Sequence, residues 1–167
     1  MRRRETAWGN FAFLLSVSQL KEYTQQKPAE VQQVAAAIAN GQLNIIAPDL
    51  GAANEVGING AKPEWRASAT LIWNLQDWTV RLRDDYIDSV TAGAYSDRTP
   101  FVVGSTQRWA LSVKKDFNTG RLKGTAVEVG ARNLFNEEPP LNATGNYLSA
   151  LHETYGRYVH LGISKNW

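Results

Sequence analysis

The chain of 167 residues contains no cysteine, which excludes disulfides, cysteine-ligated metal sites and thiol chemistry. No run of eighteen apolar residues is present, so a transmembrane helix is excluded as well. Net charge is also low: 18 Lys and Arg oppose 16 Asp and Glu, and three of the 18 are the consecutive Arg2, Arg3 and Arg4. Because the rest of the chain is nearly neutral, it lacks the basic surface of a nucleic-acid-binding protein, and we expect no nucleic-acid partner.

The first twenty residues allow two interpretations. A basic start followed by a short apolar stretch is typical of a secretory signal peptide. The same stretch alternates between apolar and polar residues, which favours a β-strand. We predict the strand and keep the signal peptide as the alternative. The alternating apolar residues are Phe11, Phe13, Leu15 and Val17.

Five further segments alternate with a period of two residues, each with an apolar side and a polar side. Six such segments predict an antiparallel sheet with one apolar face. The predicted strands cover residues 7–20, 65–74, 78–86, 108–117, 127–132 and 155–167.

The connections between these segments alternate in length. Residues 24–62 form a long connection with a short helix near 28–40, and residues 91–104 and 136–153 form two further loops. The connections at 74–77 and 118–121 are tight turns. This alternation is typical of a transmembrane β-barrel, whose periplasmic turns are short and whose extracellular loops are long. We therefore predict an all-β fold, an antiparallel barrel segment of about six strands.

Aromatic residues bracket the apolar side of three segments at a spacing of eight residues. At about 3.3 Å per residue and a tilt of about 40°, eight residues rise about 20 Å. That approaches the apolar band of about 25 Å between the two aromatic girdles of a membrane barrel. The spacing predicts that the apolar side contacts outer-membrane lipid. The predicted girdle residues are Trp65, Trp73, Trp78, Tyr86, Trp109, Phe117 and Tyr155.

Two stretches resemble the C-terminal end of TonB-dependent outer-membrane receptors. Residues 130–140, Gly-Ala-Arg-Asn-Leu-Phe-Asn-Glu-Glu-Pro-Pro, are similar to that family's penultimate strand and the loop after it. Residues 156–167, which begin Gly-Arg-Tyr and end on a tryptophan, are similar to its closing strand. Residues 62–66 also resemble a strand opener of the family. The resemblance covers about residues 60–167 well and 5–24 more loosely.

The resemblance implies that residues 1–167 are a partial receptor barrel in the outer membrane of a Gram-negative bacterium. The parent would bind a scarce extracellular nutrient, such as a siderophore, cobalamin or a saccharide, and import it with energy delivered through TonB. Since the family's barrel has 22 strands and an N-terminal plug, we expect a truncated piece that does not function alone and that meets the TonB complex only through the missing plug. The barrel assembly machinery would recognise the last strand through Val159, Leu161, Ile163 and Trp167.

Two alternatives stay open, namely a complete small barrel with two further strands in residues 40–62, and a soluble secreted β-sandwich that binds carbohydrate through its tryptophans. No arrangement of catalytic residues has a supporting spacing, so we predict neither an enzyme nor a cofactor. We interpret Asp84, Asp85 and Asp88 as a solvated rim and not as a metal site, because strand neighbours point to opposite faces. The predicted ligand-contacting loop residues are Tyr95, Phe101, Tyr147 and His152.

Overall fold

The structure, a computed structural model, describes residues 2–6, 8–24, 28–43, 55–57, 62–95, 97 and 99–166, with the side chains of 2–6 and 94 left out. Within these residues the chain forms nine strands and one α-helix. The strands are β1 Arg2–Thr6, β2 Gly9–Gln19, β3 Trp65–Leu75, β4 Trp78–Ile87, β5 Val90–Ala94, β6 Pro100–Val103, β7 Thr106–Phe117, β8 Thr125–Arg132 and β9 Tyr158–Lys165. The helix α1 spans Ala29–Ala39, and a 3-10 turn spans Gly120–Leu122.

Seven strands form one antiparallel sheet in the order β1-β2-β3-β4-β7-β8-β9, and β5 and β6 form a separate two-stranded sheet. The six predicted strands are confirmed as β2, β3, β4, β7, β8 and β9. Over the described residues the large sheet is open, because its edge strands β1 and β9 do not pair with each other.

The cross-strand register divides the large sheet into two faces, because residues directly opposite each other on neighbouring strands share a face. The face that we call the apolar face is crossed by continuous rows of apolar side chains. One row consists of Phe13, Leu71, Leu82, Leu111, Ala131 and Val159, and the next of Phe11, Trp73, Val80, Val113, Val129 and Leu161. The apolar sides of the six separate segments therefore form one continuous surface.

The opposite face, called the polar face below, carries hydroxyl and charged side chains in rows of the same kind. One row consists of Asn74, Thr79, Lys114 and Glu128, and another of Ser68, Asp85 and Arg108. Most side chains of β2, β3, β4, β7, β8 and β9 therefore follow the division into an apolar and a polar face that a period of two requires.

All long connections lie at one end of the large sheet. The β2–β3, β4–β7 and β8–β9 connections meet at this loop end, whereas β1–β2, β3–β4 and β7–β8 are joined by short turns at the opposite turn end. At the turn end Gln76 adopts a positive φ of 51° between β3 and β4. The predicted alternation of long and short connections is confirmed.

The strand β1 is a feature that the sequence prediction missed. Its residues include three arginines and show no apolar alternation, but its backbone pairs with β2 from Arg2↔Phe13 to Thr6↔Gly9. The exposed Trp8 lies in the turn, where its carbonyl accepts a hydrogen bond of 2.8 Å from Trp73 Nε1. A glycine is required at position 9, because φ is +103° and a Cβ would lie 2.4 Å from the Asn74 carbonyl oxygen.

The loop predicted at residues 91–104 is instead largely the β5–β6 hairpin. Its residues Val90, Ala92 and Val103 are buried, and Phe101, Leu148 and Leu151 pack against them. Apart from Ala12 on β2, the buried hydrophobic residues of the described chain therefore lie among the loops and not on the large sheet. The hairpin was missed because a core of this kind is assembled from connections that are distant in sequence.

The predicted helix near 28–40 is confirmed as α1. It begins after Pro28 and ends before Gly41, whose φ is +70°. None of its residues is buried. In the part of the chain that the structure describes, no helix has the length and hydropathy to cross a membrane. The two extra strands of the small-barrel alternative fall on residues 40–62, most of which lie outside the described residues.

Candidate functional site

A cavity of about 630 Å³ opens at the loop end of the large sheet. The strands β3, β4, β7 and β8 each place one arginine in its lining, and the β8–β9 connection adds a histidine and a glutamate. We call this cavity the arginine pocket. It is defined by Arg66, Arg83, Arg108, Arg132, His152 and Glu153.

Two of the four arginines are paired with carboxylates. Arg83 donates two hydrogen bonds to Asp85, through Nε at 2.7 Å and Nη2 at 2.6 Å. Arg108 lies 3.5 Å from the Glu153 carboxylate and also donates to the Glu153 backbone carbonyl. Arg83 is consequently neutralised by a bidentate partner, and Arg108 is held against the β8–β9 connection.

The other two arginines, Arg66 and Arg132, have no ion pair with a carboxylate among the described residues. Tyr155 lies beside Arg132 and Glu153, and hydrogen bonding to Glu153 together with partial burial raises the pKa of its phenol. The pocket therefore contains two guanidinium groups that no carboxylate of the described residues pairs with.

His152 is one of three buried polar residues of the lining, together with Thr106 and Asn133, and is only 4% exposed. Its Nδ1 lies 3.4 Å from the Thr106 hydroxyl, whereas its Nε2 is buried without a hydrogen-bond partner. Burial lowers the pKa of this imidazole, and the positive charges of Arg108 and Arg66 lower it further. His152 is thus neutral at pH 7.

The lowered pKa of His152 predicts a dependence of stability on pH. Because the folded state binds the proton more weakly than the unfolded state, the stabilisation is complete above the unfolded value of about 6.5 and is lost as pH falls through the lower folded pKa. We expect the wild-type chain to lose stability relative to the His152→Gln variant over this interval. Unfolding measured in urea at pH 7.5 to 4.5 tests this, and a pH-independent difference would contradict it.

Of the four loop residues predicted from the sequence, the structure brings His152 alone into the pocket. Tyr95 and Phe101 pair with each other at 5.1 Å between ring centroids, and Phe101 packs on the loop core. Tyr147 is exposed and forms an isolated bridge with Leu141. The alternation of the sequence puts all four arginines on the polar side of their strands, but it does not show that they converge at one end.

The predicted girdle residues occupy both ends of the apolar face. Register places Trp73 and Trp78 near the turn end, and Trp65 and Tyr86 near the loop end. Trp109 and Phe117 likewise share the apolar face of β7, eight residues apart. These six positions agree with the expected bracketing.

Two predicted positions of the last segment differ. Tyr155 does not lie on a strand, because β9 begins only at Tyr158 and the Arg157 amide donates at 2.8 Å to Asn136 Oδ1 instead of to a neighbouring strand. The tyrosine contributes to the arginine pocket instead. Trp167 lies outside the described residues, while Val159, Leu161 and Ile163 share the apolar face of β9.

A second cavity of about 620 Å³ adjoins the arginine pocket and shares Arg132 and Tyr155 with it. Its remaining lining comes from β9, where the Tyr158 and His160 rings stack at 6.1 Å. The His160 ring lies against Gly130, where a Cβ would approach its Cε1 to 2.4 Å. Aromatic surface is therefore available beside the arginines.

The aspartates predicted to form a charged rim are separated as expected from their alternation. Asp84 lies on the apolar face and accepts a hydrogen bond of 2.8 Å from Gln107, whereas Asp85 lies on the polar face with Arg83. Asp88 accepts from the Tyr86 hydroxyl at 3.1 Å. Among the described residues no three His, Asp or Glu side chains are grouped as metal ligands.

No protein-family model matches the chain, and neither a curated protein nor a solved structure matches it. Over the described residues, the fold and the site define an antiparallel sheet that is open, with one apolar face, one polar face and a positively charged pocket at its loop end.

Proposed function

We propose that the chain is part of an outer-membrane β-barrel, specifically the C-terminal strands of a TonB-dependent receptor in a Gram-negative bacterium. The receptor takes up a scarce nutrient such as a siderophore, cobalamin or a saccharide, and the chain supplies part of its wall. The role is transport and not catalysis, and it needs no cofactor. The continuous apolar face is the observation that carries this proposal.

Large apolar side chains on the apolar face are exposed, and such exposure is unfavourable in water. Leu15, Leu161 and Ile163 are 62%, 66% and 69% exposed, and they belong to rows that cross the sheet. A contiguous apolar patch of this kind indicates a contact with lipid or protein. Since the opposite face is polar, the sheet matches a wall between hydrocarbon and an aqueous lumen.

Charged side chains on the apolar face lie toward its margins. Lys115 lies toward the turn end, where its Nζ is 3.5 Å from Asp77 and 4.8 Å from the centre of the Trp78 ring. Asp84 lies toward the loop end beside Gln107. A long side chain that extends its charge to the edge of an apolar band is the arrangement expected at a membrane interface.

The soluble sandwich is less well supported. A sandwich requires a second sheet packed over the apolar face. In the described part of the chain the second sheet is the β5–β6 hairpin, and its hydrophobic partners are the loop residues Leu148 and Leu151. Over the described residues β1 and β9 do not pair, so the described strands alone do not close a small barrel.

The TonB-dependent family is favoured by the positions of the two resembling stretches. Residues 130–140 cross the end of β8 into the loop, and residues 156–167 contain β9, the last strand of the sheet. The two stretches thus fall on the strands for which the resemblance proposes penultimate and closing roles. The partners proposed with the family are outer-membrane lipid, the barrel assembly machinery, the TonB complex through a plug and an extracellular small molecule.

Cell fractionation tests the membrane assignment. We expect the chain, expressed with an export signal in a Gram-negative host, to sediment with the outer membrane and to resist extraction by alkaline carbonate. A lipid-facing barrel wall stays in the bilayer under these conditions, whereas a soluble sandwich is released. Recovery of the chain in the carbonate supernatant would contradict the proposal.

The same fractionation tests the assembly role of the last strand. The chain without Trp167 should reach the outer membrane in smaller amount, because the terminal aromatic residue follows the exposed apolar residues Val159, Leu161 and Ile163 that the assembly machinery is proposed to read. Deleting Met1 at the other end serves as the control. Equal outer-membrane levels for both deletions would place the recognition elsewhere.

A further inference from the structure

We infer that the arginine pocket binds a small molecule carrying at least two separated oxyanion groups, carboxylate or phosphate. This inference names the substrate class of the uptake proposed above and rests on that function for its biological meaning. The binding itself follows from the charge and geometry of the lining.

The first step is the charge of the pocket. Four arginines face two carboxylates, Asp85 and Glu153, and His152 is neutral, so the lining carries a net charge of +2. The whole chain also carries +2, but three of its positive charges are the arginines at positions 2–4. The charge of the lining therefore equals that of the whole chain, and it attracts anions into the recess.

The second step is the identity of the unbalanced groups. Arg83 and Arg108 are engaged by Asp85 and Glu153, whereas Arg66 and Arg132 have no carboxylate partner among the described residues. A guanidinium presents a planar fork of N–H donors that matches the two oxygens of a carboxylate or phosphate. Arg66 and Arg132 are therefore the two positions at which a ligand anion is recognised.

The third step is the separation of these two arginines. Arg66 lies on β3 and Arg132 on β8, with β4 and β7 between them. Three inter-strand spacings of about 4.8 Å place the two backbones about 14 Å apart. A ligand that carries two anionic groups on one framework can pair with one guanidinium group at each side of this span.

An independent observation comes from His152. It is 4% exposed, lines the same cavity, and its Nε2 has no hydrogen-bond partner. A buried polar group without a partner is uncommon in a folded chain and calls for an explanation. A ligand hydroxyl or carboxyl oxygen that displaces the neighbouring side chains slightly would supply the missing hydrogen bond.

The size of the pocket limits the ligand to a small molecule. A volume of about 630 Å³ lies in the range of small-molecule sites. Tyr155 and the adjoining second cavity, with its stacked Tyr158 and His160 rings, leave room for a further planar group next to Arg132.

Titration calorimetry of the full chain with three probes tests the inference. Citrate presents three carboxylates, inorganic phosphate presents one oxyanion, and maltose is uncharged. We expect citrate to bind, phosphate to bind at least about tenfold more weakly because it meets one guanidinium at a time, and maltose to give no heat. Citrate binding should weaken as salt concentration rises, since the attraction is between charges.

Arginine variants locate the binding. Arg66→Gln and Arg132→Gln should each weaken citrate binding by about tenfold or more, the usual effect of losing a charge-assisted pair. Arg81→Gln is the matched control, because Arg81 lies on the same polar face of β4 but does not line the pocket. Arg66→Lys keeps the charge without the fork and should lie between wild type and Arg66→Gln, which separates recognition from misfolding.

Several results would overturn the inference. They are the absence of citrate binding, equal citrate affinity in Arg81→Gln, Arg66→Gln and Arg132→Gln, phosphate binding as tight as citrate binding, or maltose binding that depends on the same arginines. The fractionation above reports separately on the proposed function. If the chain binds citrate but is released by carbonate, only the proposed membrane role is contradicted. If the chain stays in the membrane but does not bind citrate, only the inference about the arginine pocket is contradicted.

Discussion

Leu111→Arg should destabilise the chain in lipid by about 2–4 kcal/mol, the cost of an arginine on the lipid face near the bilayer midplane. Leu111 lies in the middle of β7, directly opposite Leu82 on one neighbouring strand and Ala131 on the other. Among the side chains that the structure describes, no charged one shares its row, and the Asp84 carboxylate on the same face already accepts a hydrogen bond from Gln107. The free energy of unfolding in urea, followed by tryptophan fluorescence in phospholipid vesicles, measures the effect.

Ser112→Arg is the control for this prediction. Ser112 is the next residue on the same strand and lies on the polar face, opposite Arg81 and Gly130. An arginine there projects into the proposed aqueous lumen, and we expect a cost well below that of Leu111→Arg. If both substitutions cost the same in vesicles, the apolar face does not contact hydrocarbon.

The strands of the large sheet could be predicted from the sequence because the alternation that identifies a strand lies within the strand itself. Alternation along a strand assigns each side chain to a face without knowledge of the neighbours, so residues such as Trp65 and Trp73 were placed on one face before any register was known. The helix α1 is local in the same sense, since Pro28 and Gly41 mark its two ends.

The missed features depend on contacts that are distant along the chain. Strand β1 is held by backbone pairing with β2, which its charged side chains do not reveal. The β5–β6 hairpin packs against Leu148 and Leu151, more than forty residues further on. The alternation assigned Arg66 and Arg132 to the polar face, but only the register and the loop fold show that they line one cavity with His152.

The motif Asn-Leu-Phe-Asn at residues 133–136 shapes the connection that follows β8. Asn133 and Asn136 adopt positive φ angles of 49° and 56°, which asparagine tolerates better than other residues with a side chain. Asn136 Oδ1 accepts from the Arg157 amide, and the Leu134 amide donates to the Trp109 carbonyl. The motif therefore fixes the path from β8 toward β9 beside the arginine pocket.

Asn133→Ala should destabilise the chain by about 2–4 kcal/mol. The buried Asn133 side chain donates to the Glu137 carbonyl at 2.8 Å and accepts from the Glu137 amide at 2.7 Å. Alanine removes both hydrogen bonds and leaves two backbone groups without partners, at about 1–3 kcal/mol for each that stays buried. It also places a less tolerant residue at a positive φ, which adds about 1 kcal/mol.

Three further variants separate these causes in the same urea unfolding experiment. Asn133→Gly removes the hydrogen bonds but tolerates the positive φ, so it should recover about 1 kcal/mol relative to Asn133→Ala. Asn133→Asp keeps an acceptor for the Glu137 amide and should lie closer to wild type. Asn142→Ala removes an asparagine that also accepts backbone amides, but in a more open turn, and should cost less. If Asn133→Ala destabilises the chain no more than Asn142→Ala, the path from β8 to β9 is fixed by the strands and not by the motif. In that case the positions of Arg132 and His152 in the pocket do not depend on the motif either.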